Sequence, residues 1–168
     1  LISDGLGGDG STIEPYDADP DDPTLILYTS GTTGAPKGAE LRHRNLVANV
    51  VQGKAWVPDL RPGKETFLTA LPMFHAYGIV MTMLFGPFIG GAELILLPSP
   101  DMKLIMSIMK KETPTWLPGV PTLYERIAAE ATKKGIDIHG VRNSFSGASS
   151  LPASTVEKWE ALTKGHLI

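Results

Sequence analysis

Residues 24–38 read Thr-Leu-Ile-Leu-Tyr-Thr-Ser-Gly-Thr-Thr-Gly-Ala-Pro-Lys-Gly and carry the strongest signal in this sequence of 168 residues. The apolar and β-branched run from Thr24 to Tyr28 predicts a buried strand. The loop that follows, Thr29 to Gly38, packs four hydroxyl residues, three glycines and one lysine into a short stretch. Glycines let backbone N–H groups turn toward an anion, hydroxyls add donors, and Lys37 adds a point charge suited to phosphate. The pattern therefore predicts a phosphate-binding loop.

This loop differs from two other phosphate-binding loops. The P-loop of nucleoside triphosphatases requires a second glycine five residues after the first, followed by Lys and Ser or Thr. Counted from Gly31, that place is held by Pro36. The loop also lacks the glycine spacing of the dinucleotide fingerprint. A generic P-loop enzyme is therefore disfavoured.

Apolar runs alternate with amphipathic segments along the rest of the chain. Further strands are predicted at Ala39–Leu41, Phe67–Leu71, Glu93–Leu97, Thr115–Leu117 and Val141–Phe145. Helices are predicted after a capping Asn45, over Ala76–Phe85, after a capping Asp101, and from Pro121 and Pro152. This alternation predicts an α/β fold in which a mostly parallel sheet is flanked by helices. Ligands of such sheets lie beyond the carboxyl ends of the strands, here in the loops after Tyr28, Leu71 and Phe145.

Composition excludes several classes of protein. With 42% hydrophobic and 20% charged residues, the chain has enough apolar material for a core. A net charge of −3 gives no basic excess that would suggest nucleic acid as a partner. There is no cysteine, which excludes disulfides, thiol catalysis and Cys-ligated zinc, and we expect a cytoplasmic protein. The uncharged run 76–92 contains glycines and a proline and is too short for a typical membrane span, so it predicts a buried helix and turn.

Charge also divides the chain. Residues 1–22 hold seven acidic residues and no lysine or arginine, and they predict an acidic linker or surface strap. The remaining residues, 23–168, form the predicted α/β body and carry a net positive charge. Because the chain begins with Leu1 and stops as an apolar run starts, we expect a portion of a larger domain, incomplete at its carboxyl end.

Two further segments follow predicted strands. Residues 71–78 read Leu-Pro-Met-Phe-His-Ala-Tyr-Gly, and a histidine between aromatic residues at a strand end predicts a pocket-lining group. Residues 146–152 read Ser-Gly-Ala-Ser-Ser-Leu-Pro. Small residues there would let a flat ring lie against the backbone, and a helix-capping turn has the same composition.

Residues 28–38 resemble the phosphate-loop signature of the adenylate-forming superfamily, which comprises acyl-CoA synthetases, firefly luciferase and peptide-synthetase adenylation domains. Residues 71–78 are similar to the superfamily's aromatic motif, whose histidine contacts the acyl or adenylate group. Residues 146–152 are similar to the segment that flanks adenine, although Leu151-Pro152 reverses the usual Pro-Leu order. Peptide-synthetase domains usually have a Phe-Asp-x-Ser type sequence where this chain has its aromatic motif, which favours a carboxylic acid joined to coenzyme A.

The resemblance implies that the chain is part of the N-terminal AMP-binding domain of an acid–thiol ligase. For the complete enzyme it implies two half-reactions. A carboxylic acid, expected to be a fatty acid, reacts with ATP to give acyl-AMP, and coenzyme A then displaces AMP. The implied nucleotide-binding residues are Thr29, Ser30, Gly31, Thr32, Thr33, Gly34, Lys37, Gly147, Ala148 and Ser149. The implied acid-binding residues are His75, Tyr77 and Gly78, and the implied catalytic residues are His75 and Lys37. Mg²⁺ is implied as well, with its ligand outside these residues.

Two alternatives remain open from the sequence. One is an aryl-acid or luciferase-like adenylating enzyme, and the other is a non-catalytic nucleotide-binding module. The superfamily's segments for magnesium, ribose and the catalytic lysine are not in this sequence, so we expect the 168 residues alone to be inactive. Peripheral membrane association also stays open for a fatty-acid ligase, although no basic amphipathic helix predicts it.

Overall fold

The computed structural model of the protein describes residues 16–29, 34–57, 59–89 and 91–168. The chain forms two compact units, Leu1–Asn45 and Leu46–Ile168. The division falls in the first turn of helix α1, which runs from His43 to Trp56.

The first unit contains an antiparallel hairpin of β1 (Pro23–Thr29) and β2 (Lys37–Arg42). The predicted strand is present, but the expectation that it is buried is wrong. Because β1 pairs with β2 in a two-stranded sheet, Ile26 and Tyr28 remain 55% and 74% exposed. Asp21 lies beside this hairpin, with its carboxylate 3.1 Å from Arg42 and 2.8 Å from Arg44.

The second unit is built on a five-stranded parallel sheet. Its strands are β3 (Thr66–Thr69), β4 (Glu93–Leu96), β5 (Trp116–Gly119), β6 (Asn143–Ser146) and β7 (His166–Leu167). They lie in the order β4-β3-β5-β6-β7, and every neighbouring pair is parallel. The predicted α/β fold with a parallel sheet and flanking helices is therefore confirmed. Strand β7 was not predicted, because two residues carry no period.

Helices connect the strands. They are α2 (Ala76–Gly78), a wider π-helix (Ile79–Ile89), α3 (Met102–Lys111), α4 (Pro121–Lys134) and α5 (Ala153–Thr163). Asp101 caps α3 as predicted, since its carboxylate accepts hydrogen bonds from the Lys103 and Leu104 N–H groups. Helix α4 ends at Gly135, whose φ of 61° is the left-handed conformation that glycine adopts freely.

Two helix predictions need correction. Asn45 does not cap α1, which begins two residues earlier at His43; its side chain instead accepts the Arg42 N–H, reaching back as the third residue of a capping box does. The helix predicted over Ala76–Phe85 is one α-helical turn followed by the π-helix. Pro87 lies in the π-helix and has no N–H to donate to the hydrogen bonds of a regular α-helix.

Hydrophobic clusters cover both faces of the sheet. Neighbouring residues of a strand point to opposite faces, and Phe67 and Leu68 of β3 accordingly belong to different clusters. The Leu68 face is covered by residues of α3, α4 and α5. The Phe67 face carries an aromatic stack in which the Trp116 ring lies 4.9 Å from Phe67 and 5.7 Å from Phe145. No helix in the described part of the chain is long and apolar enough to cross a membrane.

A charged network lies just before β3. The Glu65 side chain is fully buried and accepts hydrogen bonds from Arg61 at 3.2 Å and Arg142 at 3.0 Å. Arg142 also contacts Asp59 at 2.7 Å. Burial by itself raises the pKa of Glu65, but the hydrogen bonds from Arg61 and Thr115 and the Arg61 charge outweigh it, and the net pKa is below the ordinary value. The network ties the loop before β3 to the start of β6.

Candidate nucleotide and acid site

The strand order of the sheet reverses between β3 and β5. The chain leaves β3 toward β4 on one side and leaves β5 toward β6 on the other. In open α/β sheets, ligands bind outside the carboxyl ends of the strands where the strand order reverses in this way. The two predicted segments of the second unit, residues 71–78 after β3 and 146–152 after β6, follow strands at this edge.

His75 caps the turn that holds the predicted acid-binding residues. Its ring Nδ1 accepts a hydrogen bond from the Tyr77 backbone N–H at 3.1 Å. The backbone N–H of His75 donates to the Pro72 carbonyl at 3.2 Å. Nδ1 must be unprotonated to accept, so the proton of the neutral ring lies on Nε2. The side chain is exposed, which leaves Nε2–H accessible as a donor. Gly78 is required there, because an added Cβ would lie 2.1 Å from the Pro72 oxygen.

Tyr77 brings the segments 71–78 and 146–152 together. Its hydroxyl donates to the Phe145 carbonyl at 2.5 Å. Its ring lies against Gly147, where an added Cβ would come within 2.9 Å of the ring. Burial raises the pKa of the Tyr77 phenol far above its ordinary value, so it stays a neutral hydrogen-bond donor. Tyr77 thus presents its ring to Gly147 and uses its hydroxyl within the fold.

The turn after β6 has an unusual backbone. Ala148 has a φ of 69°, a left-handed conformation that non-glycine residues rarely adopt. The Gly147 N–H donates to the Gly119 carbonyl at 3.1 Å, which joins the ends of β5 and β6. Ala148 and Ser149 are exposed at the tip. Residues held in such conformations cluster at ligand sites, and the surrounding contacts have to maintain them.

The predicted phosphate loop connects the strands of the first unit. Thr29 and Lys37 pair at its mouth, where the Thr29 hydroxyl donates to the Lys37 carbonyl at 3.4 Å. Gly34 has a φ of 93°, which favours glycine. The side chain of Lys37 is exposed. Four predicted nucleotide-binding residues lie outside the described residues: Ser30, Gly31, Thr32 and Thr33.

Tyr124, which the sequence places among packing residues, lies at the same strand end in the structure. Tyr124 lies on α4 and is fully buried. Its hydroxyl is 2.9 Å from the Leu117 carbonyl and 2.5 Å from the Phe145 carbonyl. In the sequence, Tyr124 lies on the apolar face of the helix predicted from Pro121, and that place indicates packing. A buried tyrosine needs a partner for its hydroxyl, and that need is the clue to such a residue.

Comparisons with known proteins agree with these features. The model of the family described as AMP-binding enzyme matches residues 4–168. A long-chain-fatty-acid–CoA ligase from Bacillus subtilis is 37% identical over 147 residues, which cover 88% of this chain and 26% of that protein. The chain thus spans about a quarter of the length of this curated relative.

Solved structures have the same fold. ATP-bound MatB from Rhodopseudomonas palustris is 32% identical with a TM-score of 0.79, and the match covers 99% of this chain and 32% of that one. A malonyl-CoA ligase in a ternary product complex with methylmalonyl-CoA and AMP is 30% identical with a TM-score of 0.78, covering 94% and 34%. The resemblance drawn from the sequence motifs is confirmed at the level of the family. This chain belongs to the AMP-binding enzyme family.

Proposed function

We propose that the complete protein containing this chain is an ATP-dependent acid–thiol ligase that activates a carboxylic acid, expected to be a fatty acid, as acyl-AMP and transfers it to coenzyme A. The observation that carries the proposal is the contact between Tyr77 and Gly147, since it joins the segment expected to bind the acid to the segment expected to bind adenine. The similarity to ATP-bound MatB and to a malonyl-CoA ligase solved with methylmalonyl-CoA and AMP supports it.

The first half-reaction needs alignment and charge stabilisation more than acid–base chemistry. A carboxylate oxygen bonds to the α-phosphorus of ATP, the bond to the bridging oxygen breaks, and pyrophosphate leaves with the electron pair. The carboxylate is already ionised at neutral pH. The protein must therefore hold anionic partners in line and offset the charge on the phosphates. In the second half-reaction the thiol sulfur bonds to the acyl carbon, AMP leaves, and the thiol proton is released.

We assign the loop Thr29–Gly38 to the β- and γ-phosphates of ATP. Its support is the hairpin, which closes the loop between paired residues, and the exposed Lys37 at its mouth. An ammonium group held there would act as a point charge on the phosphates. Ala148 and Ser149, with Gly147, are assigned to the adenine side.

We assign His75 and Gly78 to the acid pocket, with Tyr77 as its boundary toward the nucleotide. The Nε2–H of His75 would donate to an oxygen of the acid or of the acyl-adenylate. Phe74 next to it is 85% exposed, and a large exposed apolar side chain beside the donor favours an apolar acid. A small dicarboxylic acid would instead need a second cation for its second carboxylate.

We expect the ligand that holds Mg²⁺ to lie outside these residues. Within the described ranges, no group of three or more His, Asp or Glu residues is placed to hold a metal ion.

The test is acid-dependent exchange between ATP and labelled pyrophosphate by the complete protein. We expect exchange with medium- and long-chain fatty acids, followed by acyl-CoA formation when coenzyme A is added. Exchange with malonate or aryl acids alone would overturn the fatty-acid assignment and keep the ligase. No exchange across this set of acids would overturn the ligase itself. The 168 residues alone are expected to form no acyl-CoA.

A further inference from the structure

We propose that Tyr124 is a positioning residue which, together with Tyr77, fixes the turn Ser146–Ser149 and thereby couples acid binding to nucleotide binding. The inference rests on the proposed function, because it assigns the two segments to the two ligands. The residues involved all lie in the second unit.

The two tyrosines share one acceptor. Both hydroxyls lie 2.5 Å from the Phe145 carbonyl oxygen, which precedes the turn by one residue. Tyr77 comes from the segment after β3, and Tyr124 comes from α4. A carbonyl oxygen has two lone pairs and can accept both bonds, while the single Tyr124 hydroxyl hydrogen is shared with the Leu117 carbonyl at 2.9 Å. The Phe145 carbonyl is therefore held from two different elements of the fold.

Both phenols keep their protons over the ordinary range of pH. Burial raises the pKa of Tyr124 well above its usual value, and the neighbouring Tyr77 raises it further because two phenolates would repel. Burial likewise raises the pKa of Tyr77. The pair thus acts as two neutral donors, and changes of pH near neutrality do not release the turn.

The turn itself has little freedom. Gly147 is pressed against the Tyr77 ring, and its N–H is bonded to the Gly119 carbonyl at 3.1 Å. Gly119 is in turn packed against Tyr124, since an added Cβ would lie 3.1 Å from the Tyr124 hydroxyl oxygen. The left-handed Ala148 follows directly. A strained residue persists where surrounding contacts over-determine it, and these contacts supply that restraint.

A path from acid to nucleotide follows from these bonds. His75 accepts the Tyr77 N–H, so a ligand that orders His75 also orders Tyr77. The Tyr77 ring and hydroxyl then hold Gly147 and the Phe145 carbonyl. Tyr124 supplies the fixed point on the other side of that carbonyl. Saturating acid should therefore raise the affinity for AMP, and by linkage AMP should raise the affinity for the acid by the same factor.

The test compares the complete wild-type protein with Tyr124→Phe, which keeps the ring in its edge-to-face contact with Trp159 and removes only the hydroxyl. Calorimetry gives the AMP dissociation constant with and without a saturating fatty acid. We expect the acid to tighten AMP binding about fivefold or more in the wild type and the factor to fall toward one in the variant. Tyr16→Phe, whose side chain is 83% exposed, is the matched control.

A second readout does not depend on catalysis or on ligands. Hydrogen exchange of the Gly147 amide should be about tenfold faster in Tyr124→Phe, whereas the Ala131 amide inside α4 should be unchanged. A uniform acceleration of both amides would mean that Tyr124 only stabilises the fold and would overturn the inference, as would an unchanged coupling factor. Failure of ATP–pyrophosphate exchange in the wild type would instead overturn the proposed function. Hydrogen exchange of the Gly147 amide would still test whether Tyr124 holds the turn Ser146–Ser149.

Discussion

Ala148 occupies a backbone conformation that disfavours every residue with a Cβ. Its φ of 69° lies in the left-handed region, where glycine is free of the penalty. We expect Ala148→Gly to raise the free energy of unfolding by about 1 kcal/mol, as measured by urea denaturation. The control Ala129→Gly, on an exposed position inside α4, should lower it by about 1 kcal/mol. Loss of stability in Ala148→Gly would contradict this account.

His75 accepts the Tyr77 N–H, and we propose that its Nε2–H also binds the acid, so a substitution can separate the observed bond from the proposed one. Serine is a good helix cap and can still accept the Tyr77 N–H, but it lacks the outward-facing Nε2–H. We expect His75→Ser to keep the unfolding midpoint and to lower kcat/KM for the acid by about 10- to 100-fold in the complete enzyme, the effect of losing a hydrogen bond to a charged group. If His75→Ser retained wild-type kcat/KM, the imidazole would not be the donor to the acid.

Lys37 is the only cation of the predicted phosphate loop. We expect Lys37→Ala in the complete enzyme to raise KM for ATP by about tenfold or more while KM for the acid changes little, since the charge is assigned to the phosphates. Initial rates at varied ATP and varied acid separate the two constants. Lys54→Ala on the exposed end of α1 is the control. Equal effects on both substrates would remove the loop assignment.

Residues with a local chemical signature could be predicted, and residues defined by distant contacts could not. The histidine among aromatics and the glycine-rich loop stand out in the sequence. Tyr124 does not, because its role depends on a carbonyl 21 positions away. Tyr77 was expected to bind substrate, and its hydroxyl turns out to bond the Phe145 carbonyl.

At the scale of elements, helix α3 is capped by Asp101, the residue just before its first turn. Asp101 accepts the Lys103 N–H at 2.7 Å and the Leu104 N–H at 3.0 Å. These bonds from Leu104 and Lys103 lower the pKa of the Asp101 carboxyl. A carboxyl group whose pKa is lower in the folded protein than in the unfolded chain stabilises the fold at pH values above the unfolded-state pKa. This contribution disappears as the pH falls through the folded-state pKa. We expect Asp101→Ala to lower the thermal midpoint at pH 7 and to differ less from wild type in acid.

Asp101→Asn keeps an acceptor at the same place and is the matched variant for this test. Its thermal midpoint at pH 7 should lie closer to wild type than that of Asp101→Ala. Equal losses in the two variants would show that the cap's hydrogen bonds contribute little to α3.

Elements with strong end signals were the ones predicted best. Asp101, Pro121 and Gly135 mark helix ends where the structure has them. The burial of β1 could not be predicted, because an apolar run does not reveal whether its strand joins a large sheet or a hairpin. The π-helix was also beyond reach, since its apolar residues have the composition of an ordinary buried helix.

At the scale of the whole molecule, the buried carboxylate of Glu65 links distant parts of the chain. Its partner Arg142 is 77 positions away, so no local pattern predicts the pair. We expect Glu65→Gln to cost about 2 kcal/mol, less than a wholly buried ion pair because both arginines reach solvent. Urea denaturation at pH 7 measures the difference, and Glu157→Gln on the exposed side of α5 is the control.

The pH dependence of stability gives the same network a second signature. The folded pKa of Glu65 is below its ordinary value, so its contribution is complete above about pH 4.3 and is lost as pH falls through the folded pKa. The wild type should therefore lose stability more steeply than Glu65→Gln below that pH. Parallel acid-unfolding curves for the two proteins would show that the carboxylate is not held by its arginines.

The tryptophans on the sheet allow its surroundings to be followed by intrinsic fluorescence. Trp116 and Trp159 are buried, whereas Trp56 is 67% exposed and its ring lies 6.5 Å from that of Phe145. Iodide should therefore quench the emission of one indole in three and leave the blue-shifted emission of the other two. Phe145 also carries the carbonyl that accepts hydrogen bonds from both tyrosines. The fluorescence of the Trp56 indole beside the Phe145 ring should therefore change when a ligand binds at the end of β6.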